Sequence, residues 1–409
     1  MTAQENTQSS AAEIAAADDI VIVGAARTPF GKLLGGLSSL PATELGAHAT
    51  QAALHNAGID PEVVDALIFG QVLQAGAGQN PAKQIALGAG ISRRAHTTTV
   101  NKVCLSGLSS IIDGARLLCS NEADVVVAGG AESMSNAPHL LTSSRAGKKF
   151  GNITGVDHMA HDGLVDADKG ISMGELTENY AEEYPVSAEE ENACAARSHQ
   201  NAARARDNGT FDKEIVPVTV KTRKGEVTVD ADEGIRDGVT AEKLANLPAA
   251  FVKDGSITAG NSSPITDGAA AVVLTRREHA HKQGWTVLAT LRAPGQVAGP
   301  DGSLQAQPAN ALEAALARQG WSVSDLDLVE INEAFAAVVV KSAQQLGLDP
   351  ETVNRSGGAI ALGHPIGASG ARLVVHAAHL LASGKAQRAG VALCGGGGQG
   401  EALLLDAAK

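Results

Sequence analysis

Two widely separated stretches of this chain run through the same succession of residues. Ser106-Gly107, then Gly114-Ala115-Arg116-Leu117-Leu118, leads into the apolar run from Asp124 to Gly130. Ser369-Gly370-Ala371-Arg372-Leu373, then Leu380-Leu381, leads into a similar run from Ala389 to Gly395. Upstream of each lies another short apolar segment, Asp65 to Gly70 in the first case and Asp325 to Glu330 in the second. The simplest account is two diverged copies of one α/β unit, able to place a single site between them. The opening run Ile20-Val21-Ile22-Val23-Gly24 is β-branched and ends at the turn-like Arg27-Thr28-Pro29, so it reads as a buried strand.

Between the copies, from about residue 135 to 265, the chain is more polar and changes pattern. Ser187-Ala188-Glu189-Glu190 is a capping box and Asn208-Gly209 a stop, which predicts a helix over 188–207. Val216, Val218 and Val220, the turn Lys224-Gly225, and then Val227 and Val229 predict a hairpin. The expected organisation is a tail over 1–19, disordered, a first half over 20–134 completed by 266–286, an inserted loop domain over 135–265, and a second half over 287–409.

Low aromatic content (2%) and 46 glycines imply a core of small aliphatic side chains around close backbone contacts. A net charge of −13 argues against nucleic acid or an anionic membrane as partner, and an anionic ligand would need a local basic patch. The first nineteen residues hold no Lys or Arg and no apolar run, so neither a secretory nor a mitochondrial leader is expected. No stretch approaches the roughly 20 apolar residues of a membrane span, and the expected location is the cytoplasm. Four scattered cysteines read as reduced thiols.

Cys104, in Asn101-Lys102-Val103-Cys104-Leu105-Ser106-Gly107, precedes a helical stripe of Leu105, Leu108, Ile111, Ile112 and Ala115. A thiol at a helix N-terminus is expected to shift toward thiolate, although an isolated free cysteine is ordinarily a small core residue. Cys119, on the same stripe, and Cys194 read as structural. His364 stands in the Gly-rich run Gly357 to Gly370 and is the candidate general base. His376 and His379 share a helix face but have no third ligand in view, so no metal site is expected. Cys394 ends an apolar run and precedes four glycines; without a following Gly-Lys-Ser/Thr, this reads as a thiol acid/base beside loop amides rather than a phosphate loop. Asn332, in Asn332-Glu333-Ala334-Phe335, reads equally well as a helix N-cap or as a functional side chain.

Taken together, Asn101–Gly107, Gly129–Ser135, Thr258–Asn261, Asn332–Ala336, Gly357–Gly370 and Cys394–Gly400 resemble the thiolase family, of the biosynthetic acetyl-CoA acetyltransferase type. The likeness runs from about Ile20 to the C-terminus. It implies an α/β fold of two βαβαβαββ halves in five α-β-α-β-α layers with an inserted loop domain, and a homotetramer built as a dimer of dimers. It further implies acyl transfer to Cys104 with His364 as base, and proton abstraction by Cys394. One oxyanion hole would use His364 and water held by Asn332, the other the backbone N–H groups of Cys104 and Gly396.

Coenzyme A, as substrate rather than a resident cofactor, would contact Leu164, Met173, Arg236 and Phe251, together with Ala259, Ser263, Ala334 and Phe335. Lys221, Arg223 and Lys224 would add to the basic patch around Arg236. Ser172 replaces a histidine common in biosynthetic relatives, Gly395 a larger apolar residue, and Gln399 a frequent methionine. The first of these leaves open a degradative 3-ketoacyl-CoA thiolase of broader chain length. A decarboxylating ketosynthase, which lacks a counterpart of Cys394, and a non-catalytic acyl-CoA-binding protein fit these residues less well.

Overall fold

The computed structural model describes residues 19–223 and 225–408. Nine strands build the main sheet: β1 (Ile20–Arg27), β2 (Ala66–Gly70), β3 (His96–Val100), β4 (Val125–Ser133), β5 (Thr266–Arg276), β6 (Ala289–Ala298), β7 (Leu328–Ile331), β8 (Arg388–Gly395) and β9 (Gln399–Ala407). Their order is β7-β8-β9-β6-β1-β5-β4-β2-β3, with the short strand Gly31–Lys32 paired to β5. The order is a duplication. In the first half β2 lies parallel to β4, and β5 is antiparallel to both β4 and β1; in the second, β7 is parallel to β8, and β9 is antiparallel to β8 and β6. The halves join where β1 meets β6, at Val21–Thr290 and Ile22–Ala289. The counterpart of β3 is reduced to a lone parallel bridge between Val329 and Val353.

The duplication also corrects the register read from sequence. Asp65 accepts the N–H groups of Asp124 and Val125 at the start of β4, and Asp327 accepts those of Gln387 and Arg388 at the start of β8. Asp65 therefore corresponds to Asp327, two residues beyond Asp325. Both Asp325 and Asp327 precede an apolar run, and only the strand-start hydrogen bonds distinguish them.

Alternation along the strands explains the layers. Ile20 and Ile22 of β1 join a core cluster with Val391 and Leu393 of β8, and Val21 and Val23 join another on the opposite face. Each half of the sheet is thus covered on both faces, which is why strands such as β1, β4 and β8 read as nearly continuous apolar runs, while β3 at the sheet edge is polar and only partly buried. The middle layer consists of two matching helices, α3 (Ser106–Cys119) and α7 (Ser369–Ala382), packed against each other. Outer helices cover the remaining faces: α1 (Ala42–Ala57) and α2 (Pro81–Gly88) on the first half, α5 (Gln307–Gln319) and α6 (Ala336–Leu346) on the second. Helix, sheet, helix, sheet, helix is the expected five-layer order. Cys119 departs from expectation: the last residue of α3 has turned off the buried stripe and is exposed.

The segment between β4 and β5 contributes no strand to the main sheet among the described residues. It holds α4 (Ala188–Asp207), with the predicted capping box of Ser187 and Glu190, and the hairpin Val218–Thr222/Gly225–Val229. Arg27 anchors this segment to the sheet, pairing with Glu214 at 2.7 Å and with Asp232 at 2.7 Å, all three buried. Glu214 also meets His376 of α7 at 2.7 Å; burial raises its carboxyl, but the interactions with His376 and the Arg27 guanidinium outweigh that and hold it down at about 2. The expected tail lies outside the described residues up to Asp18; Asp19 pairs with Arg292 at 2.7 Å.

Candidate active site

Three loops that the chain keeps far apart converge on one cavity of about 530 Å³, lined by Cys104, His364, Cys394 and Gly396. Cys104 comes from the turn between β3 and α3, Cys394 from the end of β8, and His364 from the run between the short helix Ala359–Leu362 and α7. The duplication brings them together, because α3 and α7 are equivalent central helices whose leading loops open toward the same end of the molecule.

At Cys104 the backbone N–H groups of Cys104 itself and of Gly396 point at the sulfur. These donors favour thiolate, but burial outweighs them and pushes the thiol up to about 12, with Glu132 adding to the rise. The helix terminus therefore does not leave Cys104 a thiolate as expected: α3 begins at Ser106, and desolvation of a charge in an apolar setting exceeds what the amides return. Burial raises the Cys394 thiol as well, and nearby Cys104 adds to the effect. Both sulfurs rest as thiols and need a base.

His364 has the form of that base. Its Nδ1 lies 2.5 Å from Ser369 Oγ, which donates its own hydrogen to the Pro365 carbonyl at 3.0 Å; this assigns the imidazole proton to Nδ1. Nε2 is buried with no partner among the described residues and belongs to a ring lining the cavity. Burial, then the charge of Arg372, lowers the imidazole from 6.5 to about 4, so it is neutral at physiological pH. The acid limb of kcat/KM is accordingly expected near pH 4 rather than 6.5, measured by rapid pH-jump assays. Stability declines over the same window as pH falls from 6.5 to about 4, because the unfolded chain takes up the proton first. An acid limb at 6.5 in intact protein would contradict the neutral-imidazole assignment.

Asn332 is fully buried, and neither its Nδ2 nor its Oδ1 has a partner among the described residues. It is not a helix cap, since α6 starts at Ala336 after Phe335. A buried amide without protein partners suits a bound water or substrate oxygen. Glu333 organises the neighbouring loop, accepting from Ser198 Oγ at 2.6 Å, Ile360 N–H at 2.9 Å and Asn354 Nδ2 at 3.0 Å.

Apart from Arg236, every residue expected to contact coenzyme A lines the cavity: Leu164, Met173, Phe251 and Ala259, then Ser263, Ala334 and Phe335. Phe251 and Phe335 meet edge-on with centroids 5.9 Å apart. Arg236 lies off this lining, exposed, with its guanidinium 2.8 Å from His199 Nε2; burial lowers His199 to about 4 and keeps it neutral. Lys221 and Arg223 are exposed on the hairpin, while Lys224 lies outside the described residues.

Several contributors escaped the sequence reading. Met134 and Ile366 line the cavity from within motifs already singled out, and Leu304 does so from a segment without any distinguishing pattern. Glu132, fully buried, accepts from the N–H groups of Val72, Leu73 and Gly367, pinning the loop beyond His364; burial pushes its carboxyl up to about 7 against those donors. Its signal was the charge itself in the apolar strand β4. Ser172 lines the cavity and caps the short helix Met173–Asn179 by accepting from Glu175 N–H at 3.2 Å. At Gly395 an added methyl would lie 2.6 Å from Leu105, so the Leu105 side chain fills the space a larger residue would need.

Residues 20–278 match the thiolase N-terminal domain family and residues 285–407 the thiolase C-terminal domain family. The chain belongs to the thiolase family. This thiolase is 52% identical over 386 residues to a probable acetyl-CoA acetyltransferase of Mycolicibacterium smegmatis, covering 94% of this chain and 100% of the relative. It is 46% identical to acetyl-CoA acetyltransferases of Chromobacterium violaceum, over 389 residues, and Cupriavidus necator, over 390 residues; each alignment covers 95% of this chain and 99% of the relative.

Proposed function

We propose that this thiolase is an acetyl-CoA C-acetyltransferase, joining two acetyl-CoA molecules into acetoacetyl-CoA and coenzyme A, and running the reverse thiolysis. The observation that carries this reading is the convergence of two thiols, an imidazole with a free Nε2, and backbone amides in one largely apolar cavity.

As Cys104 attacks the first thioester carbonyl, His364 Nε2 takes its proton. The departing CoA sulfur takes the Cys394 proton, which leaves acetyl-Cys104, imidazolium and a Cys394 thiolate. Cys394 then removes an α-proton from the second acetyl-CoA. The enolate oxygen is held by His364 and by water on Asn332, and the α-carbon attacks acetyl-Cys104. The resulting oxyanion is held by the N–H groups of Cys104 and Gly396, each such donor contributing about 3 kcal/mol. Collapse releases acetoacetyl-CoA, and His364 returns its proton to Cys104. Every group is restored, and the net charge of the site stays constant throughout.

Coenzyme A serves as substrate and product, with no permanently bound cofactor. The homotetramer expected from the resemblance and a cytoplasmic location complete the proposal; among the described residues no helix is long and apolar enough to cross a membrane. A second reading, a degradative thiolase of broader chain length, is favoured by Ser172, whose small side chain borders the cavity. The test is CoA-dependent thiolysis of acetoacetyl-CoA beside a medium-length 3-ketoacyl-CoA. Strong preference for the four-carbon substrate in kcat/KM is expected; equal or better cleavage of the longer one would move the protein to the degradative class.

A further inference from the structure

The turn that carries Cys104 is held in an unfavourable shape. Val103 has φ 50°, a left-handed conformation rarely taken by a β-branched residue. Local bonds tie the turn to its own helix: Lys102 N–H donates to Ser106 Oγ at 2.8 Å, and Ser106 Oγ donates to the Val103 carbonyl at 2.6 Å. They do nothing to fix it against the second half of the molecule, where Cys394 and Gly396 reside.

Besides the apolar contact of Leu105 with Gly395, an ion pair does. Lys102 Nζ lies 2.5 Å from Glu401 Oε1, and Glu401 is completely buried in β9. Glu401 pairs with Leu393 and follows Gly400, which pairs with Cys394, so it belongs to the hairpin that bears the second thiol and Gly396. The same carboxylate accepts from Ser109 Oγ of α3 at 2.7 Å and from Gln296 Nε2 of β6 at 2.6 Å. A lysine two residues from a nucleophilic cysteine would ordinarily be read as a thiolate activator. Here its ammonium is committed to a carboxylate of the other half.

We propose that Glu401 is a positioning residue for the thioester chemistry: through Lys102 it locks the Cys104 turn to the Cys394–Gly396 hairpin, keeping the Cys104 sulfur beneath its two amide donors. The inference rests on Cys104 as acyl carrier. The relevant magnitude is the sensitivity of reaction geometry, in which a displacement of about 1 Å costs roughly a hundredfold in rate.

The experiment compares Lys102→Met, Glu401→Gln, the double variant and Lys102→Arg in thiolysis of acetoacetyl-CoA. Acetylation of Cys104 in the unsubstituted enzyme is checked by peptide mass spectrometry, and folding of each variant by thermal melting. Each single substitution is expected to lower kcat roughly ten- to a hundredfold, with KM for CoA within about twofold. The double variant should lose less than the product of the two single losses, since both substitutions remove the same charge pair, and Lys102→Arg should recover most of the rate. A folded Lys102→Met enzyme with unchanged kcat, losses that multiply in the double variant, or a loss carried by KM would each overturn the inference. Should Glu401→Gln not fold, Lys102→Met and Lys102→Arg decide it, because Lys102 is partly exposed. Absence of acetyl on Cys104 in the unsubstituted enzyme would instead defeat the site reading itself.

Discussion

Cys394→Ala enzyme incubated with acetyl-CoA is expected to acquire one acetyl group on Cys104 and to form no acetoacetyl-CoA. The first half-reaction needs the Cys104 sulfur, His364 Nε2 and the amides of Cys104 and Gly396, all of which remain in place, and without Cys394 the departing CoA sulfur takes its proton from the His364 imidazolium instead. What disappears is the proposed base for the α-carbon. Losing a positioned acid/base costs about 10²- to 10⁴-fold, and no free thiol remains in the cavity to replace it, since Cys104 carries the acetyl group, Cys194 is buried within α4 and Cys119 is exposed on α3. Condensation should therefore fall by about 10⁴-fold. Cys104→Ala should abolish both steps, because the covalent intermediate has no carrier. Peptide mass spectrometry separates the two variants: acetyl on the Cys104 peptide in the first, none in the second. Condensation by Cys394→Ala at an undiminished rate would remove Cys394 from the mechanism.

A single methyl group at Gly130 is expected to damage both stability and activity. Gly130 lies in β4 of the first half, and an added Cβ would collide with the carbonyl oxygen of Gly367, in the loop that carries His364 from the second half. The same oxygen would lie 2.8 Å from a methyl on Gly70 and 2.8 Å from one on Gly107, so three glycines of one half cradle a carbonyl of the other. All the obstructing atoms near Gly130 are backbone, and Glu132 fixes Gly367 further through its N–H at 2.9 Å. Neither side yields easily. Gly130→Ala should destabilise by about 3 kcal/mol, at the upper end for overpacking, and should slow the reaction roughly a hundredfold by displacing His364. Urea unfolding and thiolysis assays measure the two effects. Gly155→Ala, where the new methyl would meet His139 at an ordinary 3.6 Å, serves as a neutral control.

Much of this molecule was legible in one dimension because its signals are local. The capping box at Ser187 and Glu190 needs only a turn of chain to form, and α4 spans Ala188–Asp207 as predicted. Strands covered on both faces read as largely apolar runs, and a duplicated unit repeats that pattern. Where local signals were degenerate, the reading slipped. Asp325 and Asp327 both precede a strand, and only hydrogen bonds to residues some sixty positions onward single out the second. At Asn332 the cap reading was locally sound; the helix start at Ala336 and the unpartnered amide decide against it.

By itself the sequence determined the repeated α/β unit, which residue types are equipped for thioester chemistry, and, only through its resemblance to the thiolases, the five-layer packing. Only the tertiary structure decided how those residues behave together. It set both thiols above their usual range and the imidazole below, since desolvation depends on neighbours from every layer. It left Arg236 outside the cavity and brought in Met134, Leu304 and Ile366. It also placed Glu401 against Lys102 across the two halves. The physical reason is common to all of these: helix and strand preferences act over a few neighbouring residues, whereas desolvation and charge pairing act through space between segments that only the packed core brings into contact.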